Sequence, residues 1–387
     1  MSNPLRTLRR EGLAAVARAR GALPGWINDA VFALPTSATD DTRALCARHG
    51  WRSIDLGPNP PASPELLNGS SDEATLAGLR ASCSPHAAAD RAFAAVLPRG
   101  RVLGIACTAI APGGVVLADV SPHAGEPLRR HRALASFAIA ARPRRLAGRC
   151  ALIGAIGHNN FYHWMLDVLP RIALLREAGL AGIDRWIVAE SRLPAAAELL
   201  ARCGLDGAEL VPLGRFGHVE CEELAVTSAP GRICVPTPRG AAALRALLGG
   251  GVAGTRRVYI ARRGRRKVAN EAELLPVLRE AGFETISMEG RSLAEQFESI
   301  RGASLVVAPH GAALAHLVQA APGATLIELM PPGYGNPAFY ALAGACGLRY
   351  AVLVGSAAGG GGGVTDRDFA IDAQQLGRAI RAAELSS

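Results

Sequence analysis

The chain has 387 residues, 49% hydrophobic and 19% charged, with a net charge of +9 and an isoelectric point near 9.6. This is a globular composition, too long for one ordinary core and suited to two domains of roughly 150 to 200 residues. The positive balance admits nucleic acid, an anionic membrane surface or phosphate-bearing substrates. It is spread along the chain, however, and aromatics are only 5%, which argues against base stacking and so against a nucleic-acid partner.

The N-terminal segment MSNPLRTLRREGLAAVARARGALPGWI is basic but lacks the continuous apolar core of a signal peptide. Leu5, Leu8, Leu13 and Val16 among several Arg fit an amphipathic helix. Its plainer reading is a solvated terminal helix; the alternative is peripheral contact with an anionic membrane at the inner face. Eight cysteines, with no CxxC pair and no His at metal-finger spacing, read as reduced thiols of a cytoplasmic protein. Residues 1–95 are rich in Ala, Pro and Ser, with weak periodicity. Strands are expected near 102–107, 114–119, 150–155, 185–189, 208–212 and 222–227. Helices are expected over 160–178 and 194–203, Pro170 kinking or dividing the first.

Residues 157–172 read GHNNFYHWMLDVLPRI. Counting by four aligns Asn159, His163, Asp167 and Arg171 on one helix face, while Phe161, Trp164, Met165, Val168 and Ile172 cover the others. A polar stripe on an apolar helix inverts the ordinary surface pattern, so it faces a buried network or a cleft. Two members at HxxxD spacing could ligate a metal, but no third ligand stands nearby.

The glycine-rich LLGGGVAGT at 247–255 separates two differently patterned halves. It sets expected domains of 1–248 and 256–387 with a linker at 249–255. Beyond it, strands RRVYIAR, FETISM, SLVVAP, TLIELM and RYAVLV alternate with helices NEAELLPVLREAG, SLAEQFESIRGA, GAALAHLVQAA and NPAFYALAGACG. Such alternation implies a doubly wound parallel sheet of Rossmann type. Asn270 with Glu273, and Ser292 with Glu295, fit capping boxes. The 26 uncharged residues between Arg301 and Glu328 are long enough for a membrane span, but their Pro and Gly break them into strand, turn, helix and strand. GGGGG at 359–363 reads as a flexible loop, and the segment after it as a final strand and helix.

Ligands of an open parallel sheet bind beyond the carboxyl ends of its strands, where helix N-termini offer free N–H groups. ARRGRRK follows the first strand of the second half, and APHGAAL the third. Arg262, Arg263, Arg266 and Lys267, the only lysine among 42 basic residues, could neutralise a diphosphate. Gly311 and Ala312 would let backbone approach it. The alternatives are a solvated basic loop and a structural His310. A Walker lysine motif and a GxGxxG after a strand are both absent, which disfavours a P-loop NTPase or an ordinary dehydrogenase. Asp366 and Asp368 form a DxD, more often a turn than a metal site.

Together HNNFYHWMLDVLPRI, YIARRGRRKVANEAEL, SLAEQFESIRGASLVVAPHGAALAH and PGATLIELMPP resemble glycosyltransferase family 61, over about residues 150–355. The resemblance implies an α/β, GT-B-like fold in which two Rossmann-like domains face each other across a cleft, an N-terminal acceptor side and a C-terminal nucleotide-sugar side. It implies an inverting transfer from a nucleotide-sugar donor to a glycan or lipid-linked acceptor, in bacterial surface polysaccharide synthesis. Carried over by motif, Arg262, Arg263, Arg266, Lys267 and Asn270 would line the nucleotide site, and His310, Gly311 and Ala312 would cradle the diphosphate. Glu295 and Glu328 would contact nucleobase or ribose, although Glu295 has a cap role open to it. The family often has a second Gly where Ala313 stands and commonly Asn where His316 stands.

An inverting transfer needs a base for the acceptor hydroxyl and positive charge for the leaving diphosphate. Asp167 is expected as base, with His163 orienting it or serving as base itself. Arg171 would hold Asp167 ionised or contact substrate, and Asn159, Asn160 and Trp164 would line the acceptor side. A structural alternative is an ion pair between Asp167 and Arg171. No cofactor or divalent metal is required if Arg and Lys carry the charge. The competing function is a non-catalytic nucleotide-sugar-binding or scaffold protein.

Overall fold

The computed structural model describes residues 35–59, 62–67, 72–83, 91–121, 142–251, 253–358 and 363–385. The expected N-terminal helix and most of the 359–363 glycine loop lie outside the described residues.

In chain order the elements are β1 (Ser37–Thr39), α1 (Thr42–His49), β2 (Arg52–Pro58), β3 (Glu65–Leu66), α2 (Glu73–Ser82), β4 (Arg91–Pro98), β5 (Arg101–Leu103), β6 (Thr108–Ala111), β7 (Val115–Leu117) and β8 (Arg144–Leu152). Next come α3 (Phe161–His163), a π-helical turn (Trp164–Val168), α4 (Leu169–Glu177), β9 (Arg185–Ala189), α5 (Ala196–Arg202), β10 (Leu210–Leu213) and β11 (His218–Thr227). After the two-residue β12 (Gly231–Arg232) and β13 (Val235–Pro236) follow α6 (Pro238–Leu248), β14 (Arg256–Ala261), α7 (Glu271–Glu280), β15 (Glu284–Ser287), α8 (Leu293–Ile300) and β16 (Ala303–Pro309). A 3₁₀ helix (Ala312–Gln319), β17 (Thr325–Met330), α9 (Ala338–Cys346), β18 (Arg349–Val354), β19 (Ser356–Ala357), β20 (Phe369–Ala370) and α10 (Ala373–Leu385) complete the chain.

Two compact units emerge, one within 1–58 and 86–233, the other within 59–85 and 234–387. The chain thus passes between units at 233/234, ahead of the glycine stretch at 249–255. Those glycines lie within the second unit. A Cβ on Gly251 would sit 1.6 Å from the Gln319 carbonyl oxygen, and one on Gly254 2.4 Å from that of Gly302. Close backbone approach accounts for both. Just before them, α6 is fastened by Arg245, whose Nη2 donates to the carbonyls of Ala320 (2.8 Å) and Cys346 (3.0 Å).

The first unit is built on a mixed ten-stranded sheet with the path β1-β7-β6-β5-β11-β8-β9-β10. Strands β11, β8, β9 and β10 are mutually parallel, so the α/β pattern expected here holds over that part. On its other side β11 pairs antiparallel with β4 and β5. The run AFAAVL in β4 is buried at every position, as a central strand covered on both faces requires. Val102, Leu152, Ile187 and Leu224 lie in the core.

The second unit holds the expected parallel sheet, ordered β15-β14-β16-β17-β18-β3, over a core that includes Tyr259, Val307, Ile327 and Leu353. Numbered from residue 256, its strands run 2-1-3-4-5. This order puts the topological switch between β14 and β16, where chains leaving the two carboxyl ends turn to opposite faces and open a crevice. Two local expectations need correction. GAALAHLVQ forms a 3₁₀ helix where an α-helix was expected. The capping box forms at Ser292 and Glu295 but not at Asn270, whose side chain does not cap α7. Its Oδ1 accepts from the Ile371 N–H (3.0 Å) and its Nδ2 donates to the Ile371 carbonyl (2.9 Å). A distant backbone segment has taken the capping side chain.

Candidate functional site

In the first unit, chemistry gathers where β8 ends and a helix begins. Asn160 caps that helix, its Oδ1 accepting from the Tyr162 N–H at 2.9 Å. The preceding turn is tied down on both sides: Trp164 Nε1 donates to the His158 carbonyl at 2.7 Å, and Asn159 Oδ1 accepts from the Arg192 N–H at 2.8 Å. Asn159 therefore precedes the helix and is not part of its stripe. Pro170 has no N–H to return to residue 166, so the helix widens into a π turn over Trp164–Val168 before α4 resumes.

That turn leaves His163 and Asp167 in contact, Nδ1 to Oδ2 at 2.6 Å, with side chains 17% and 14% exposed. The dyad is thus sheltered but reachable. Gly157, at φ +82°, makes room for the imidazole, since a Cβ there would lie 2.1 Å from the His163 ring. Asp167 also lines a small pocket with Gly154, Ala155, Ile156, Arg171 and Gly231.

Arg171 does not pair with the Asp167 carboxylate and is only 2% exposed. Its Nε donates to the Asp167 carbonyl (3.0 Å), Nη2 to that of Val120 (2.7 Å) and Nη1 to that of Thr227 (3.4 Å). It stitches the helix to the end of β11. Burial lowers its pKa to about 10, against an opposing pull from the Asp167 charge, so it remains a cation at neutral pH.

In the second unit the two expected loops meet at the switch point. Arg262 Nη1 donates to the His310 carbonyl at 2.9 Å and its Nε to that of Arg265 at 2.5 Å. Gly311 makes the approach possible, because a Cβ there would fall 1.6 Å from Arg262 Nη1. Burial lowers the Arg262 pKa, and the Arg266 charge lowers it further. Arg263 and Lys267 are exposed. Arg265 pairs with Asp366 at 2.7 Å, and the Lys267 N–H donates to Asp368 at 3.1 Å. The DxD carboxylates therefore anchor the basic loop. No cluster of three or more metal-ligating side chains occurs among the described residues.

Glu328 is fully buried beneath this loop, with one carboxylate oxygen on His310 Nδ1 and the other accepting from the Tyr350 hydroxyl at 2.6 Å. Both oxygens being engaged, it holds His310 where contact with nucleobase or ribose was expected. Glu295 accepts from the Ser292 N–H at 2.7 Å, which gives it the cap role, and the Asn270 side chain bonds Ile371 and Glu273. Tyr334 stands against two of the candidate residues, and sequence reasoning did not name it. Its ring packs edge-on to His310 (centroids 4.8 Å apart) and under the Arg266 guanidinium (4.9 Å). The PPGYG loop after β17 was the signal, since it leaves a third strand's carboxyl end.

His316 turns inward from the same 3₁₀ helix, Nε2 donating to Gln296 Oε1 at 3.0 Å. Burial drops its pKa from 6.5 to about 3. Below pH 6.5 the unfolded chain takes a proton that the folded chain refuses until about pH 3, so stability falls across that window by up to about 1.4 kcal/mol per pH unit. His316→Asn is expected to flatten this acid slope in urea unfolding measured from pH 7 to 4. An unchanged slope would exclude His316 as its source.

Residues 161–327 match the family model described as Glycosyltransferase 61, which bears out the sequence resemblance and spans both the dyad and the basic loop. No curated protein matches the chain.

Proposed function

We propose that this chain, whose residues 161–327 are a glycosyltransferase 61 region, moves a sugar from a nucleotide-sugar donor to a glycan or lipid-linked acceptor with inversion. The donor diphosphate is assigned to the second unit and acceptor activation to the first, in the GT-B arrangement the resemblance implies. The observation that carries this reading is the Arg262 bridge to the His310 carbonyl at the β14/β16 switch point. A half-buried guanidinium with a second arginine beside it gains from a bound anion, which relieves both desolvation and repulsion. The Gly311 and Ala312 N–H groups with Arg263, Arg266 and Lys267 then stabilise the leaving diphosphate. Glu328 holds His310 Nδ1, leaving Nε2 as the ring atom for a phosphate oxygen.

In the first unit the Asp167 carboxyl group accepts from His163 Nδ1–H, so Nε2 takes the acceptor proton. The hydroxyl oxygen attacks the anomeric carbon as the bond to the diphosphate breaks on the opposite face. Imidazole as base with a carboxylate behind it favours His163 over Asp167 for the proton itself. Arg and Lys carry the leaving-group charge in this reading, and no divalent ion is needed. On the family resemblance we place the reaction in the cytoplasm, in surface polysaccharide synthesis; no described helix is long and apolar enough to cross a membrane.

Thermal melting with UDP, GDP and CMP and their sugars tests the donor site. The cognate nucleotide at about a hundred times its Kd should stabilise the fold by about 2.7 kcal/mol. Flat melting throughout the series would remove the donor assignment.

A further inference from the structure

Arg266 holds a backbone conformation that its residue type does not favour. At φ +60° it lies in the left-handed region, which a residue with a Cβ enters only at a cost in conformational energy. Such strain persists where the surroundings over-determine it. Here the grip comes from residues 365–369, which run alongside the basic loop from 101 positions further along the chain. On one side of Arg266, Arg265 pairs with Asp366 at 2.7 Å; on the other, the Lys267 N–H donates to Asp368 Oδ1 at 3.1 Å. The Phe369 N–H donates to the Lys267 carbonyl at 3.2 Å, and the Ala269 N–H to the Phe369 carbonyl at 2.8 Å. The remaining carboxylate oxygens face Thr365 Oγ1 at 3.4 Å and Lys267 Nζ at 3.9 Å. While both its neighbours are drawn to this segment, Arg266 is not. Its guanidinium lies over the Tyr334 ring, and its Nε is buried with no hydrogen-bond partner among the described residues. Tyr334 in turn packs edge-on to His310.

We infer that Asp366 and Asp368 are positioning residues for the donor diphosphate: gripping Arg265 and Lys267, they hold Arg266 in its left-handed turn and fix its guanidinium over Tyr334, one ring away from His310. The inference rests on the donor-site reading above, which gives Arg266 to the leaving diphosphate. The Arg262 and Arg266 charges repel each other, so the loop must hold both against that repulsion. Fixing them before the anion arrives removes an ordering cost from binding. The two aspartates thus act through Arg266 rather than by contact with the donor or with a metal ion. Such a role fixes the sign of the effect. A carboxylate near an anion site repels the anion, so by charge alone its removal should tighten binding. Loss of the grip on Arg266 should weaken it.

Calorimetric titration of the full chain with inorganic pyrophosphate, UDP and GDP, in EDTA and again with added Mg²⁺ or Mn²⁺, reads that sign. Both carboxylates are partly exposed, at 43% and 32%, so Asp366→Asn and Asp368→Asn should fold as the wild type does. Each should weaken binding of the ligand that the wild type takes, and the two together should weaken it about ten- to a hundredfold, the range for a hydrogen bond to a charged group. Arg266→Ala should cost about the same, and joined to the two Asn substitutions it should cost little more. These losses should be equal with and without the metal ions. Unchanged or tighter binding in both Asn variants, or losses that add to that of Arg266→Ala, overturns the positioning role and leaves the donor site standing. Wild-type binding that appears only with the metal ion, and is lost in the Asn variants, makes the aspartates ion ligands and overturns it as well. If pyrophosphate and both nucleotides fail to bind the wild type, the donor site falls and this inference with it.

Discussion

Asp167→Asn is expected to lower kcat for sugar transfer about 10²- to 10⁴-fold, the usual contribution of positioned acid–base catalysis. Asp167 Oδ2 lies 2.6 Å from His163 Nδ1, and an amide can meet that nitrogen with its NH₂ group as readily as with its oxygen. The imidazole then loses the partner that holds the proton on Nδ1, and Nε2 ceases to be the free base. Stability should change little, because one hydrogen bond contributes about 0.5–1.5 kcal/mol net. Nucleotide binding should not change either, since every group assigned to it belongs to the second unit. His163→Gln should cost as much as Asp167→Asn, and the double variant little more than either, as expected of residues acting as one device. Steady-state kinetics on the three variants decide it. Near wild-type turnover in Asp167→Asn would return the dyad to a structural role, and additive losses would mean that the two side chains act separately.

The alternating strands of the second half were legible because a parallel sheet buried on both faces writes continuous apolar runs, and TLIELM and RYAVLV are buried nearly throughout as β17 and β18. Position then followed from topology, which is why the two loops converging on Arg262 could be named from sequence. The four-residue spacing likewise found the His163–Asp167 contact. It could not assign Arg171, whose terminal guanidinium nitrogens reach the carbonyls of Val120 and Thr227, 51 and 56 residues away, while only its Nε bonds locally, to the Asp167 carbonyl. Asn270 keeps a side-chain bond to Glu273 but not the cap, because its Oδ1 is drawn to the Ile371 N–H across 101 residues. Local chemistry proposes a bond, and a long-range competitor can remove it. Glu328 reads in sequence as an acid at a strand end. Only the structure shows both its oxygens committed to His310 and Tyr350. Of the strands before residue 100, β4 was illegible because antiparallel pairing with β2 and β11 buries a short Ala-rich run that carries no periodic signal of its own.

Gly311→Ala is expected to weaken donor binding about ten- to a hundredfold, the equivalent of losing one charge-assisted contact, while the chain still folds. The backbone at Gly311 is extended, with φ 177°, a conformation alanine adopts freely. The obstacle is spatial, because the new methyl would sit 1.6 Å from Arg262 Nη1 and 2.9 Å from Cζ. Nothing rigid stands in its way except the end of a flexible side chain, so the guanidinium swings aside and gives up the His310 carbonyl. Arg262→Ala should then cost about the same, and adding Gly311→Ala to it should cost little more, a coupling that a double-mutant cycle measures directly. Gly264→Ala is the control within the same loop, since a Cβ there meets nothing within 4 Å, and it should bind nucleotide as the wild type does. If Gly311→Ala binds normally, Arg262 is not a ligand of the donor. If Gly264→Ala fails equally, the loop requires glycine mobility and the steric account of Gly311 is wrong.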